Sequence, residues 1–535
     1  MSIHDVLLLG TGHNALVLQA YLARCGLRTL ALDRAAEPGG GLRTMANPRL
    51  PGFTHHPHSF FHRAITAMPW FRDLELARHG VRYVEPELNV AMLLHDGRAL
   101  EWWTDLGRTA ASFAEFSPRD ADALRRWTAE FRPIVEHILI PEAQSPPLEP
   151  ELRRKLLAQS RLGRRLLEVS ALSPLEFVTQ NFEHDAIRAG LLFFNGLREV
   201  DLRQRGFGHA IPALLASPHK AQMCVGGSGA LARGLVADIT EHGGEIRCGV
   251  ELRRILVRSG RAVGVELSTG EQLFAHAVAS GLNPQQTFLE LLPADAAPAG
   301  LREAAAQFQY NLLAPLFALN LALAEPPRWA AAAQRPELER AFMFIVGLER
   351  YGQFHDIVAA HERGEIPAPV AWGACPTLFD PSQAPAGQHT AFLWEKLPYA
   401  LRGDARQWRT ETEAHSRRLR AHWAQFAPNL GGDAVLDTFA RSPLDIAETL
   451  PNMARGDLLI GAFANGQVGY HRPFAGAGRY RTPVAGLYLC GGSTHPGGNV
   501  TGLCGYNAAR VIAADAGKSI WWQPPDAEAR LGALG

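Results

Sequence analysis

"DVLLLGTGHNALVLQAYLARCGLRTLALDR", residues 5–34, decides the fold. Residues 6–9 form an unbroken apolar run, as in a strand buried on both faces of a parallel sheet. Gly10-Thr11-Gly12-His13-Asn14-Ala15 follows as G-x-G-x-x-A, and residues 16–24 continue with helical spacing. Gly26 suits the position just past that helix, and residues 28–33 read as a second strand ending at Asp33. Gly10 permits a tight turn, Gly12 lets the backbone approach a pyrophosphate, and Ala15 is small enough for the helix to pack on the strands. The helix N-terminus offers free N–H groups and a positive dipole end to phosphate. Asp33 stands where a carboxylate accepts from ribose hydroxyls. Together these features predict a dinucleotide-binding βαβ unit. The motif itself does not choose between NAD and FAD.

A second glycine cluster follows the acid in "RAAEPGGGLRT", residues 34–44. With it the chain resembles the phytoene dehydrogenase and carotenoid ketolase family of FAD-dependent oxidoreductases, flavoproteins built on two dinucleotide-binding motifs. The resemblance implies that Gly10, Gly12, His13, Asn14 and Ala15 meet FAD together with Arg34, Gly39, Gly40, Gly41 and Arg43. Two positions depart from the pattern. Ala15 stands where the family usually has Gly, and Gly41 stands where many members have Arg, with Arg43 two residues on.

The other end carries a matching signal. In "TPVAGLYLCGGSTHPGGNVTGLCGYNAARVIAADAG", residues 482–517, a short buried strand closes on Gly491 and Gly492, and a tight loop leads into a helix. This resembles the family's C-terminal flavin motif, which implies cofactor contacts from Gly491, Gly492, Gly498, Asn499, Val500 and Thr501. Backbone N–H groups at 499–501 would face the flavin pyrimidine and stabilise negative charge there. In the middle, residues 225–284 give a glycine turn, a helix and four strands, the layout of a split flavin domain. The resemblance implies that Leu252 contacts adenine through its backbone.

The expected fold is α/β: a discontinuous Rossmann-like FAD-binding domain with an inserted α+β substrate domain, of the amine-oxidase or phytoene-desaturase kind. The flavin domain is expected at 1–75, 222–290 and 478–520, the substrate domain at 76–221 and 291–477, and a tail at 521–535. Residues 117–139 read as a helix with Ser117 as its cap and Pro118 in its first turn. Residues 141–152 read as a proline-rich hinge loop, 312–324 and 387–395 as strands, and Trp521 and Trp522 as side chains that pack back or meet a partner.

Composition narrows the partners. The 535 residues carry 53 Lys+Arg and 53 Asp+Glu, so no basic surplus points to nucleic acid. Six scattered cysteines without a CxxC pair suit free thiols in a reducing compartment. No apolar run reaches the roughly 20 residues of a spanning helix. The expected setting is cytoplasmic, with peripheral membrane contact and oligomeric state left open.

"GFTHHPHSFFH", residues 52–62, places four histidines within eight positions. A metal site needs three or four ligands in workable geometry, and this spacing, broken by Pro57, does not supply it; no metal is expected. The family resemblance carries this segment toward the flavin ring and the substrate. His56 and His58 are the candidates for proton transfer beside a structural reading of all four, and His495 is a third candidate. The expected activity is FAD-dependent dehydrogenation (desaturation) of a small hydrophobic, isoprenoid or carotenoid-like substrate by hydride transfer to flavin N5. Two alternatives stand beside it: an oxygen-using oxidase or ketolase, and a flavin-bearing scaffold or assembly factor. Non-covalent FAD is expected, although His13, His495, Cys490 and Cys504 all lie in flavin motifs.

Overall fold

Three stretches far apart in sequence share one seven-stranded sheet in the computed structural model, which describes residues 3–196 and 200–535. Residues 1–2 and 197–199 of the expected domain segments lie outside the described residues. Strands Glu245–Arg247, Thr29–Leu32, His4–Leu9 and Gln272–Ser280 lie side by side in parallel. The far edge of Gln272–Ser280 is divided. Its start pairs antiparallel with Arg261–Leu267, which pairs with Leu252–Arg258; its end pairs parallel with Leu487–Leu489. The strand near the C-terminus therefore completes the sheet that the first strand begins. This is the Rossmann-like architecture expected.

Helix His13–Arg24 covers one face of this sheet and crosses helix Leu503–Asp515 very closely. Gly505 makes the crossing possible, since a Cβ there would lie 1.9 Å from the Asn14 carbonyl oxygen.

A second seven-stranded sheet runs Val435–Arg441, Leu316–Leu323, His389–Lys396, Ala371–Ala374, Met343–Val346, Leu88–Leu93, Ala99–Trp103. Its only parallel pair among the described residues is Met343–Val346 with Leu88–Leu93. Leu316–Leu323 and Met343–Val346 are buried along their whole length, which explains why they read as apolar runs. Helix Pro118–Ile134 is capped as expected: Asp120 N–H donates to Ser117 Oγ at 3.1 Å. Its Leu124, Trp127 and Phe131 are buried.

Three readings change. Tyr83 and Val84, drawn into the substrate segment, pair instead with Cys224 and Met223 in a three-stranded sheet that also holds Phe61–Arg63. The proline-rich stretch is no hinge. Helix Ile140–Ala143 occupies its start, and Asn507 Nδ2 donates to the carbonyls of Ala143 and Ser145. Ser145 Oγ donates to the Pro525 carbonyl, so the tail clamps the same loop. Trp521 and Trp522 pack back on the protein, around Tyr21.

Replacing Gly505 by Val is expected to force the two helices apart and cost about 1–3 kcal/mol of stability. A fall in the denaturation midpoint checks this; an unchanged midpoint would contradict the crossing.

Candidate active site

The backbone makes one side of the site. Strand His4–Leu9 turns at Gly10, whose φ of +90° lies in the left-handed region. A Cβ on Gly12 would meet no protein atom within 4 Å, because a cavity opens over it. The second glycine cluster lies against the first: Gly39 N–H donates to Thr11 O at 2.9 Å, and a Cβ on Gly40 would sit 3.1 Å from Gly12 Cα. Arg43 lines the cavity here and donates from Nε to Gly40 O.

The C-terminal motif closes from the opposite side. Cys490 N–H donates to Ser280 O, and a Cβ on Gly491 would lie 2.4 Å from Gly281 O. His13 Nε2–H donates to Asn499 O at 3.0 Å and joins the two motifs. Thr501 N–H already donates to Asn499 O, so it is not among the free amides expected to face a flavin.

The cavity measures about 820 Å³. Gly10, Gly12, His13, Asn14, Ala15, Asp33, Arg34, Gly40, Gly41 and Arg43 line it, with Leu252, Gly491, Gly492, Gly498, Asn499, Val500 and Thr501. Among the expected cofactor contacts Gly39 does not; it packs against Ala232, and its role is to seat Gly40. The bare backbone over Gly12, and Asn14 Oδ1, buried on the wall without a partner, fit a dinucleotide with its diphosphate at this turn. Asp33 does more than expected. Its carboxylate accepts from Thr11 N–H at 2.8 Å, Thr11 Oγ at 2.6 Å and Ala35 N–H at 2.9 Å, so it also holds the glycine turn.

Beyond the glycines the wall becomes apolar and aromatic, with Phe60, Trp372, Trp394, Leu450, Met453 and Ile460. Lys396 is the cation on this wall that the sequence did not suggest; its Nζ donates to Ala314 O at 2.8 Å. Behind the wall, the fully buried Arg472 donates to the carbonyls of Ile460, Gly461, Ala462, Gln467 and Gly492. Buried Asp457 accepts from the N–H groups of Asn311, Leu459 and Gly461. These two ions fix the path of residues 457–462.

The histidines separate. His56 lies off the cavity, fully buried, with Nε2 donating to Gln383 Oε1 at 2.6 Å. His495 also lies off it, donating to the Glu142 carbonyl at 2.9 Å. Both catalytic assignments are corrected: each ring is spent on a structural hydrogen bond away from the space a substrate would fill. His55 bonds Asn47 and packs edge-on against Phe439. His58 lines the cavity, and so do His62 and Ser59, which nothing in the sequence singled out. No group of three or more His, Cys, Asp or Glu among the described residues is placed to hold a metal. Among the described residues no helix is long and apolar enough to cross a membrane.

This geometry defines a dinucleotide-dependent enzyme with an enclosed apolar chamber, and comparison with known proteins sharpens it. Residues 57–513 match the family of flavin-containing amine oxidoreductases, and the chain belongs to that family. It is a flavin-dependent oxidoreductase. It is 30% identical to a limonene dehydrogenase polypeptide of Castellaniella defragrans, over 98% of this chain and 96% of that one. It is 24% identical to the lycopene-forming phytoene desaturase of Pseudescherichia vulneris, over 92% and 96%. Among solved structures, putrescine oxidase bound to putrescine shares the fold with a TM-score of 0.62 at 14% identity, over 96% of this chain and 99% of that one. The resemblance to the desaturase family that the motifs suggested is thus shown.

The glycine turn can be tested directly. Gly12→Val is expected to leave the empty protein folded, since no protein atom opposes the new side chain, yet to abolish flavin retention through gel filtration. Asp33→Ala is expected to weaken retention by about 1.5–3 kcal/mol for the lost charged hydrogen bonds and to loosen the turn as well. Equal loss of flavin in both would contradict the assigned roles. A second expectation concerns pH. Burial, as the largest cause, holds His13 down at about 4 and His55, His58 and His62 at about 3. An unfolded imidazole titrates near ~6.5. Below that value the unfolded chain binds more protons, so these four groups favour the fold fully above pH ~6.5 and progressively less as pH falls toward their folded values. The thermal midpoint is expected to fall between about pH 7 and pH 5; a flat profile would show these rings to be solvated.

Proposed function

We propose that the chain binds FAD non-covalently and dehydrogenates an apolar, isoprenoid-like substrate to form a C=C bond. The observation that carries this reading is the continuity of one cavity, from phosphate-type glycine turns at one end to an aromatic and aliphatic wall at the other. Bound flavin supplies a two-electron hydride acceptor. The protein's own groups do the rest. Gly12 and the start of helix His13–Arg24 hold the diphosphate, and residues 250–252 flank the adenosine end. Phe60, Trp372, Trp394 and Ile460 exclude water and hold a hydrocarbon by apolar contact, which suits a limonene-like or carotenoid-like molecule better than a polar one. The similarity to the limonene dehydrogenase polypeptide and to phytoene desaturase supports the same substrate class. Non-covalent binding is supported by the placement of Cys490, Cys504 and His495 off the cavity, while His13 Nε2 is held by Asn499.

Mixing the purified yellow protein with limonene or phytoene without oxygen tests the reading. The expected result is bleaching of the flavin's visible absorbance and a product two hydrogens lighter, with the chromophore released to the supernatant by acid. Bleaching by putrescine and by neither hydrocarbon would overturn the substrate class, and colour retained in the acid pellet would overturn non-covalent binding.

A further inference from the structure

Ser59 and His62 both line the cavity, in a segment that joins its two halves. Strand Phe61–Arg63 pairs with Ala221–Cys224, while Phe60 packs on Phe342 and Phe392 of the second sheet, at centroid distances of 5.0 and 4.9 Å. Ser228 Oγ donates to the Ser59 carbonyl at 2.8 Å and fixes its backbone. His62 is held from both sides. Its Nε2 lies 3.0 Å from Ser59 Oγ, and its Nδ1 lies 2.6 Å from Tyr83 Oη. Tyr83 is held in turn by its register opposite Cys224. An imidazole between two hydroxyls has two complete arrangements. In one, Ser59 O–H donates to Nε2 and Nδ1–H donates to Tyr83 Oη. In the other, Tyr83 O–H donates to Nδ1 and Nε2–H donates to Ser59 Oγ. The two differ in tautomer, and both keep the ring in place.

We propose that Ser59 and His62, positioned by Tyr83, are the proton acceptor of the dehydrogenation, a reading that rests on the desaturase function proposed above. One substrate C–H gives hydride to the bound flavin. The neighbouring C–H gives its proton to Ser59 Oγ while the Ser59 proton passes to His62 Nε2, and the electron pair left on carbon becomes the second bond of C=C. The substrate loses one hydride and one proton and is oxidised by two electrons, which the flavin takes. The resulting imidazolium keeps Nδ1–H on Tyr83 Oη.

His58 is the competing group on the same wall. Both its ring nitrogens are buried without a partner, so no hydrogen bond orients the ring or leads a proton away. Arg441 and Arg43 also stand close enough to oppose a positive charge there. The charges bearing on His62 come from His13 and His56, themselves neutral rings held down by burial. Burial keeps His62 neutral and weakly basic, and a weak base suffices, because a C–H beside a carbon that is losing hydride becomes strongly acidic.

The test uses the flavin-loaded full chain with limonene and phytoene as probes. Ser59→Ala and His62→Gln are expected to keep flavin content and to slow anaerobic flavin reduction by a factor of about 10²–10⁴. Tyr83→Phe is expected to slow it less. In ¹⁵N-histidine spectra taken without substrate, Ser59→Ala should move the His62 Nε2 signal and Tyr83→Phe the Nδ1 signal. Unmoved signals in both variants would overturn the relay whatever the substrate. A large rate loss in His58→Ala with a near wild-type rate in His62→Gln would assign the proton to His58 instead. Wild-type flavin left unreduced by both probes would overturn the desaturase reading, and the proton role with it, while the spectra still report the hydrogen bonds.

Discussion

The site depends on bare backbone meeting bare backbone. Gly12, Gly40, Gly491 and Gly498 bring chain segments from the two ends of the sequence to the wall of a single cavity, and any Cβ at Gly40, Gly491 or Gly498 would press on a neighbouring main chain. Gly505 extends the constraint to the helices behind, by letting the C-terminal helix lie on the carbonyl of Asn14. Side chains then only have to tune what the backbone has shaped. His13 ties the two motifs with one hydrogen bond, and Asp33 ties the first turn with three.

Charge is handled by exclusion. The rings of the histidine-rich segment are kept neutral by burial, and the ions near the chamber are matched at once by main-chain groups. Arg472 faces five carbonyls and Asp457 faces three amides, a pattern that makes a buried ion tolerable without an ion-pair partner. The chamber therefore has a rigid wall and little net charge at its apolar end. That environment holds a hydrocarbon and keeps water from a reacting carbon.

The cofactor half was legible in sequence because its chemistry is local. G-x-G-x-x-A, the second glycine cluster and the C-terminal loop each place backbone groups within a few residues, so reading the residues reads the site. The proton-handling half was not legible. His56 looked as suitable as His58 until Gln383, 327 residues away, was seen to occupy its Nε2. His62 had no visible partner because Tyr83 reaches it through a three-stranded sheet whose middle strand lies at Ala221–Cys224. Lys396 and Arg472 are ordinary residues of a strand and a loop in the sequence, and only tertiary packing turns them toward the chamber. The hinge expected at 141–152 failed for a similar reason: proline content marks a loop, but Asn507 and Pro525 hold this one down.

The bond between His13 and Asn499 spans 486 residues. On a growing chain the first βαβ unit emerges early, yet its phosphate turn faces nothing until strand Leu487–Leu489 and the loop after it have been made. At about 5–20 residues per second, synthesis alone separates the two halves by tens of seconds. During that interval the apolar edge strand Gln272–Ser280 lacks its last neighbour and needs shielding from other chains. Cofactor loading is thus an event at the end of translation, and truncation anywhere before residue 499 leaves a protein with most of its core and no place for its flavin.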